Sequence, residues 1–486
     1  MTKQPLVNGS NRKWFILMSN GLGVFLATID GSIVNIALPT LTRELNTQFS
    51  TVQWVVLAYM LTIVTLLLSI GRLADMIGKK KLFITGFVLF TVGSVLCGLA
   101  SRVEVLILFR VFQGFGAAMT MALGPAIVTE AFPSSERGKA LGINAMMVSL
   151  GSISGPTIGG IILSSLSWHW IFFVNLPVGI VGVLLAVRFI PETAPRGGQK
   201  FDFAGAGTLF SGLLCFLLAL TFGQNIGFLT TPVILLFSGA VLFITSFILI
   251  EQRVSQPIIE LSLFRNKLLA INILTGFLVF ISASANVLLM PFYLQNVLRF
   301  PPNQAGLLLA TVPVAMIVTA PLMGALSDKI GSRPLAMVGL LILALSFWGV
   351  STLDQNTTAL SYFLHLLPVG IGLGTFNSPN SSAIMGSAPR ERMGVVSSML
   401  ALTRTMGQTT GHAINGAIWA SLVRYYAGGT ALVDVTKAPA AAQVAGLNGT
   451  IQVMVGLLIF GLVLGIWAFF KERQERRLGI APSQQG

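Results

Sequence analysis

The sequence predicts an all-α polytopic membrane protein, and three observations carry that prediction. Apolar stretches long enough to cross a bilayer, which takes about 20 residues, recur along nearly all of the 486-residue chain. Only 9% of the residues are charged, against roughly 25% in an average soluble domain. Lys and Arg collect in alternate connecting segments, the pattern that sets the orientation of membrane helices.

Fourteen spans are expected, over about 14–39, 51–71, 81–101, 104–131, 138–163, 170–190, 204–222, 231–250, 268–294, 304–326, 334–352, 358–386, 394–422 and 451–470. Residues 1–13 are polar and basic, and no small-residue cleavage site follows them, so the first span reads as retained rather than as a removed signal peptide. With that end in the cytoplasm, 23 of the 30 Lys and Arg residues fall in inside segments. Both termini are therefore expected to be cytoplasmic. The same bias explains the net charge of +14 as a topology signal, and nucleic acid is not implied. Cys97 and Cys215 both lie in apolar spans, which suits free thiols and gives no metal site.

Asp30 stands inside the first span, and a carboxylate at membrane depth costs roughly 2.5–3.5 kcal/mol, so its default reading is functional. Arg110, in the fourth span, is the second intramembrane charge. Counted at 1.5 Å per residue, the two lie about 14 and about 9 Å from the outer face. A pair at this depth satisfies both groups, and it breaks when the acid takes a proton, which makes it a coupling device; a permanent structural salt bridge is the other reading. Gln113 is one turn from Arg110 and shares its face. Gly151, Gly155 and Gly159 form a smooth face in the fifth span, with Pro156 removing a backbone hydrogen bond. That face serves either plain helix packing or a hinge.

In the thirteenth span Arg404, Gln408, Gly411 and Asn415 fall at i, i+4, i+7 and i+11, one polar stripe with Thr405 and His412 beside it. Asn377 and Asn380 flank Pro379, and Ser282 and Asn286 lie one turn apart. An arginine in such a stripe points to a water-filled cavity, while lone Asn and Ser residues often only join helices. Tyr59, Gln113, Asn286, Asn377, Arg404 and Gln408 are the candidate cavity residues. The spans then hold two cations and one acid, which favours neutral, zwitterionic or anionic amphiphiles over dications. Arg404 is the expected contact for an acidic group, unless backbone carbonyls or lipid phosphate neutralise it.

The chain also repeats itself. Gly71-Arg-Leu-Ala-Asp75-Met-Ile-Gly78-Lys-Lys80 follows the second span, and Gly324-Ala-Leu-Ser-Asp328-Lys-Ile-Gly331-Ser-Arg333 follows the tenth. Gly, Asp, Gly and a base recur at identical offsets, in what reads as short cytoplasmic turns, and this argues for a duplicated six-helix unit. No HExxH, GxSxG or nucleotide-binding loop is present and there are only three His, so an enzyme or an ATP-driven pump is not expected.

These stretches together resemble the major facilitator superfamily. The Gly71–Lys81 segment is similar to its signature loop. Leu108–Ala118, which holds Arg110, Gln113, Gly114 and Gly116, resembles its fourth-helix motif, and Gly151–Gly160 its antiporter motif. Leu26–Pro39 and Trp168–Pro177 resemble the fourteen-helix drug:proton antiporter family, with His169 departing from the Arg often found there. The resemblance implies two six-helix bundles, in 1–195 and 257–486, with a linker and two inserted helices in 196–256. It implies a proton-coupled exporter of amphipathic drugs or toxic compounds in a bacterial inner membrane, a source of antibiotic resistance. Such a protein needs no cofactor beyond the proton gradient and is expected to work as a monomer whose partners are small substrates, protons and lipids. Asp30 and Arg110 would couple protons. Gly71, Asp75, Gly78, Gly151, Gly155, Pro156 and Asp328 would form the conformational gate. An exporter of one lipid or metabolite has the same motifs; a membrane enzyme or a transport-dead receptor fits them poorly. The segment 424–449 has no role on this reading.

Overall fold

The computed structural model describes residues 9–133, 136–192, 202–254, 257, 266–386, 393–429 and 434–477. Fourteen long helices carry the fold: α1 (Gly9–Glu44), α2 (Trp54–Ile77), α3 (Lys79–Gly98), α4 (Val103–Ala131), α5 (Arg137–Ser165), α6 (Asn175–Phe189), α7 (Phe203–Ile226), α8 (Thr231–Glu251), α9 (Lys267–Phe292), α10 (Thr311–Ile330), α11 (Ser332–Val350), α12 (Ala359–Gly386), α13 (Met393–Tyr426) and α14 (Ala440–Arg477). No strand occurs among the described residues. Thirteen stretches there are long and apolar enough to cross a membrane. The 34-residue α13 is the exception, because its middle carries Arg404, Gln408, His412 and Asn415.

The span expected over 304–326 runs from Pro302 to Ser327, with a slight irregularity at Ala310 between Pro302–Leu309 and α10. One expectation about boundaries is corrected. The signature segment is not a loop. Helix α2 runs to Ile77 and α10 to Ile330, so Gly71, Asp75 and Asp328 are helical and only Gly78 and Gly331 turn the chain. Unbroken i to i+4 hydrogen bonding suits the apolar residues between the glycines, and the reversal is left to one residue. Gly78 has φ 105° and ψ 130°, and Gly331 has φ 94° and ψ 147°, a region open to glycine and costly for any side chain. The repeat seen in sequence is thus a repeat of backbone geometry.

In the first half, α1 lies along α5 and meets α4 and α6, and α4 packs on α2 and α3; in the second half, α9 meets α13 and α14, and α12 meets α10 and α11. Helix α7 packs against α8, and also against α2 and α13. Its Leu209, Leu213 and Leu217 share a buried cluster with Leu57, Leu61 and Val64 of α2 and with Leu402 and Ala413 of α13. The inserted pair therefore bridges one lateral seam between the halves. Ile234, Leu235, Val241 and Leu242 of α8 are exposed, which fits a helix bathed in lipid.

The halves close on each other at the end that carries Pro39. The Phe49 ring meets Phe292 at 5.0 Å and Trp419 at 4.7 Å, both edge-on, and such pairs contribute about 0.5–1.5 kcal/mol each beyond area burial. A π-helical turn, Tyr293–Val297, ends α9 and aims Gln295, whose Nε2 donates to the Ile36 carbonyl at 2.9 Å. At the opposite end Lys13 pairs with Glu136 at 2.5 Å and Lys79 with Glu130.

Candidate functional site

Asp30 and Arg110 meet in the interior of the first half, both with no exposed surface. Arg110 Nη1 donates to Asp30 Oδ2 at 2.5 Å and to Gln113 Oε1 at 2.6 Å. Gln113 Nε2 donates in turn to Asp30 Oδ1 at 2.8 Å and to Ser94 Oγ at 2.7 Å. Asn175 Nδ2 donates to the same Asp30 oxygen at 3.0 Å. The carboxylate therefore accepts from three donors on α4 and α6, and charge-assisted bonds of this kind are the strong ones. Arg110 is also fixed by its Nε, which donates to the Val55 carbonyl at 2.8 Å, and by the Tyr59 ring 4.0 Å from its guanidinium.

Small residues allow this convergence. A Cβ on Gly93 of α3 would lie 2.8 Å from Gln113 Cα, and one on Gly114 of α4 would lie 3.1 Å from the Tyr59 carbonyl. Neither site admits a side chain, so α4 approaches α3 and α2 closely enough to place Gln113 and Arg110 among their partners.

Tyr59 and Gln113, expected in the substrate cavity, are instead built into the charge network; Tyr59 is 2% exposed. Sequence reasoning did not assign Asn175, Ser94 or the Val55 carbonyl. Asn175 lay within the quoted Trp168–Pro177 stretch, so a signal existed; Ser94 and a backbone carbonyl offered none. Two buried atoms of the network are without partners among the described residues, Arg110 Nη2 and Asn175 Oδ1.

In the second half the polar stripe of α13 divides. Gly411 lies against Ile281 and Ser284 of α9, and Asn415 Nδ2 donates to the Ile281 carbonyl and the Ser284 hydroxyl, each at 2.9 Å. That part joins helices. Arg404 and Gln408 are half-buried, and among the described residues neither side chain has a hydrogen bond or ion pair. Asn286 is 7% exposed with both amide atoms unpartnered. Among the described residues the Asn377 side chain makes only a 4.0 Å contact to Met316 Sδ, while Asn380 donates to the Asn272 carbonyl at 3.3 Å. His412 Nδ1 lies 2.8 Å from the Gln408 carbonyl.

The glycine face of α5 has two duties. Gly151, Gly155 and Gly159 lie against Thr28, Ser32 and Ile33 of α1, packing within the first half and not between halves as a gate requires. The contact between halves is one step round the helix: a Cβ on Gly160 would lie 2.5 Å from the Pro302 carbonyl, and Gly306 lies directly against the Pro156 carbonyl. The side chains of Asp75 and Asp328 lie outside the described residues.

Two repeated halves around buried polar residues are the arrangement of a transporter, and residues 21–412 match the family described as the Major Facilitator Superfamily. The chain belongs to that superfamily. It is 33% identical over 468 residues to the riboflavin transporter RibZ of Clostridioides difficile, covering 96% of this chain and 99% of that one. It is 32% identical over 398 residues to the multidrug transporter protein MdtP of Bacillus subtilis, covering 82% and 73%. Among solved structures, an inward-facing bacterial homologue of the human lysosomal transporter Spinster matches 98% of this chain and 99% of its own, with TM-score 0.68 at 17% identity, a likeness of fold alone. The protein is a multi-pass membrane transporter of the superfamily and not an enzyme.

Proposed function

We propose that this chain is a proton-coupled exporter of amphipathic compounds in a bacterial inner membrane, with both termini cytoplasmic, working by alternating access. The observation that carries the reading is the buried Asp30, held by Arg110, Gln113 and Asn175. A proton on Asp30 turns one accepting oxygen into a donor and cancels the charge facing Arg110, so at least one of the three bonds must change. The network holds the spare parts for a second arrangement. Asn175 Oδ1, unpartnered now, accepts from a protonated Asp30 if the amide turns over, and Arg110 Nη2 is a free donor. Release of Arg110 from the carboxylate loosens α4 against α1. The network lies in the half that shares the Pro39-end contacts with α9, and that end would face outward. Asp75, in the last turn of α2, is proposed to hold the opposite end in one state only, since a switch needs contacts that differ between states.

Relatives named as multidrug transporters support a broad substrate range. A second reading, export of one metabolite, is favoured by the RibZ likeness over nearly the whole of both chains. The test is flux across a compound panel, riboflavin included, by purified protein in vesicles with an imposed pH gradient. Uptake that follows the gradient for several unrelated amphiphiles supports the first reading, and uptake of one compound supports the second. Transport indifferent to the gradient overturns the proton coupling.

A further inference from the structure

A cavity of about 540 Å³ lies at the Pro39 end, where three pieces of chain meet: the end of α1 with the turn after it, the π-helical end of α9, and the segment 434–438 ahead of α14. Its wall carries three cations, Arg43, Arg299 and Lys437, against one acid, Asp434. Among the described residues the Arg43 side chain bonds only to the Thr40 hydroxyl, at 3.5 Å. Arg299 has no hydrogen-bond or ion-pair partner among the described residues. Lys437 Nζ is 4.0 Å from Asp434, and that carboxylate already accepts from the Thr436 amide at 3.1 Å and its hydroxyl at 2.8 Å.

The wall is built rather than accidental. Gln443 Nε2 donates to the Thr436 and Ala438 carbonyls at 3.0 and 2.8 Å, and Trp419 Nε1 donates to the Gln443 carbonyl at 3.2 Å. These bonds pin the segment to α13 and α14, with Val435 and Ala438 buried beneath it. Gln443 is 5% exposed and lines the cavity, yet its Oε1 has no partner. Helix α14, 38 residues long, begins on this wall at Ala440, and the start of a helix favours anions.

We propose that this cavity binds an organic phosphate with a hydroxylated body. Three cations against one acid leave room for a doubly charged group. Guanidinium forks match phosphate oxygens in pairs, and the start of α14 adds amide donors. The volume lies in the range of sites for small organic ligands. Asn46 and Asn296, which also line the cavity, offer amide groups to the hydroxyls of such a ligand. Arg43 belongs to the first half, and Arg299 and Lys437 to the second, so an occupant ties the halves together while this end is closed. Glycerol phosphate chemistry satisfies these demands, as a soluble molecule or as the headgroup of an anionic lipid. The inference is independent of what the protein transports.

The test is calorimetric titration of sn-glycerol 3-phosphate into the full chain in phosphatidylcholine nanodiscs, with ionic strength held constant by sodium chloride. Saturable binding is expected, at least ten-fold weaker in Arg43→Gln and in Arg299→Gln and unchanged in Arg102→Gln, an exposed cation outside the cavity wall. Lys437 is 83% exposed, so Lys437→Glu reverses a charge without touching the core and should weaken binding as well. Repeating the titration in discs that contain phosphatidylglycerol separates the two sources. A fall in apparent affinity identifies the lipid headgroup as the occupant, and an unchanged affinity identifies a soluble phosphate. Absence of saturable binding in phosphatidylcholine discs, or equal affinity in the wild type, Lys437→Glu and the two arginine variants, overturns the proposal.

Discussion

Asp30 does three jobs with two oxygens. It balances Arg110, anchors the amides of Gln113 and Asn175, and offers a site for a proton. Asn has the same shape but only one acceptor and no charge. Asp30→Asn should therefore reduce gradient-driven flux at least a hundred-fold. Arg110 keeps its bond to the Val55 carbonyl and its contact with the Tyr59 ring, so the variant should still reach the membrane folded. Vesicle flux beside a melting curve checks both halves of this statement, and undiminished pH-driven transport would sink the assignment. Arg404 poses the opposite problem, a cation with no partner among the described residues. A carboxylate-bearing substrate should be carried better than its ester by the wild type, and Arg404→Gln should reduce that preference about ten-fold, the order of one charge-assisted contact. An unchanged acid-to-ester ratio, or efficient export of dicationic biocides by the wild type, would show that Arg404 never meets substrate.

At the scale of elements, single glycines set the turns and the close approaches. Gly331 is the clearest case, because a Cβ there meets nothing nearer than Pro334 Cδ at 3.7 Å. The cost of Gly331→Ala is then backbone conformation alone, about 1–3 kcal/mol at φ 94°. A lower melting temperature with transport per folded molecule retained is the expected outcome. If melting is unchanged, the turn is not held in that conformation. Gly93 teaches the complementary lesson, since its role is space for Gln113 and not backbone freedom.

At the scale of the molecule, the closed Pro39 end depends on contacts that neither half makes alone. Gly306 lies against the Pro156 carbonyl, in a seam away from the core of either bundle. Gly306→Leu should wedge this end apart and stop turnover while each half still folds. Distances between labels on α5 and on the Pro302–Leu309 helix, measured across the seam, should lengthen. Unchanged distances would mean that the seam yields to the larger side chain.

Hydrophobic length determined much from the sequence alone. Apolar runs had to become helices, because a backbone in lipid must satisfy its own hydrogen bonds, and the repeated glycine segments disclosed two related halves. The buried charges were legible for the same reason, since Asp30 and Arg110 are conspicuous in apolar surroundings. What pairs with them was decided only by tertiary structure. Asn175 lies 145 residues from Asp30, and its hydrogen bond depends on how α6 leans on α1 and α3. The stripe on α13 looked uniform because helical periodicity reports a face and not its neighbour; packing against α9 consumed Gly411 and Asn415 and left the Arg404 and Gln408 side chains without partners among the described residues. The glycines of α5 were likewise visible as a smooth surface, but which helix would cover it depended on the assembled bundle. Period and polarity are properties of a single helix, whereas the partner of a polar group is a property of the space between helices.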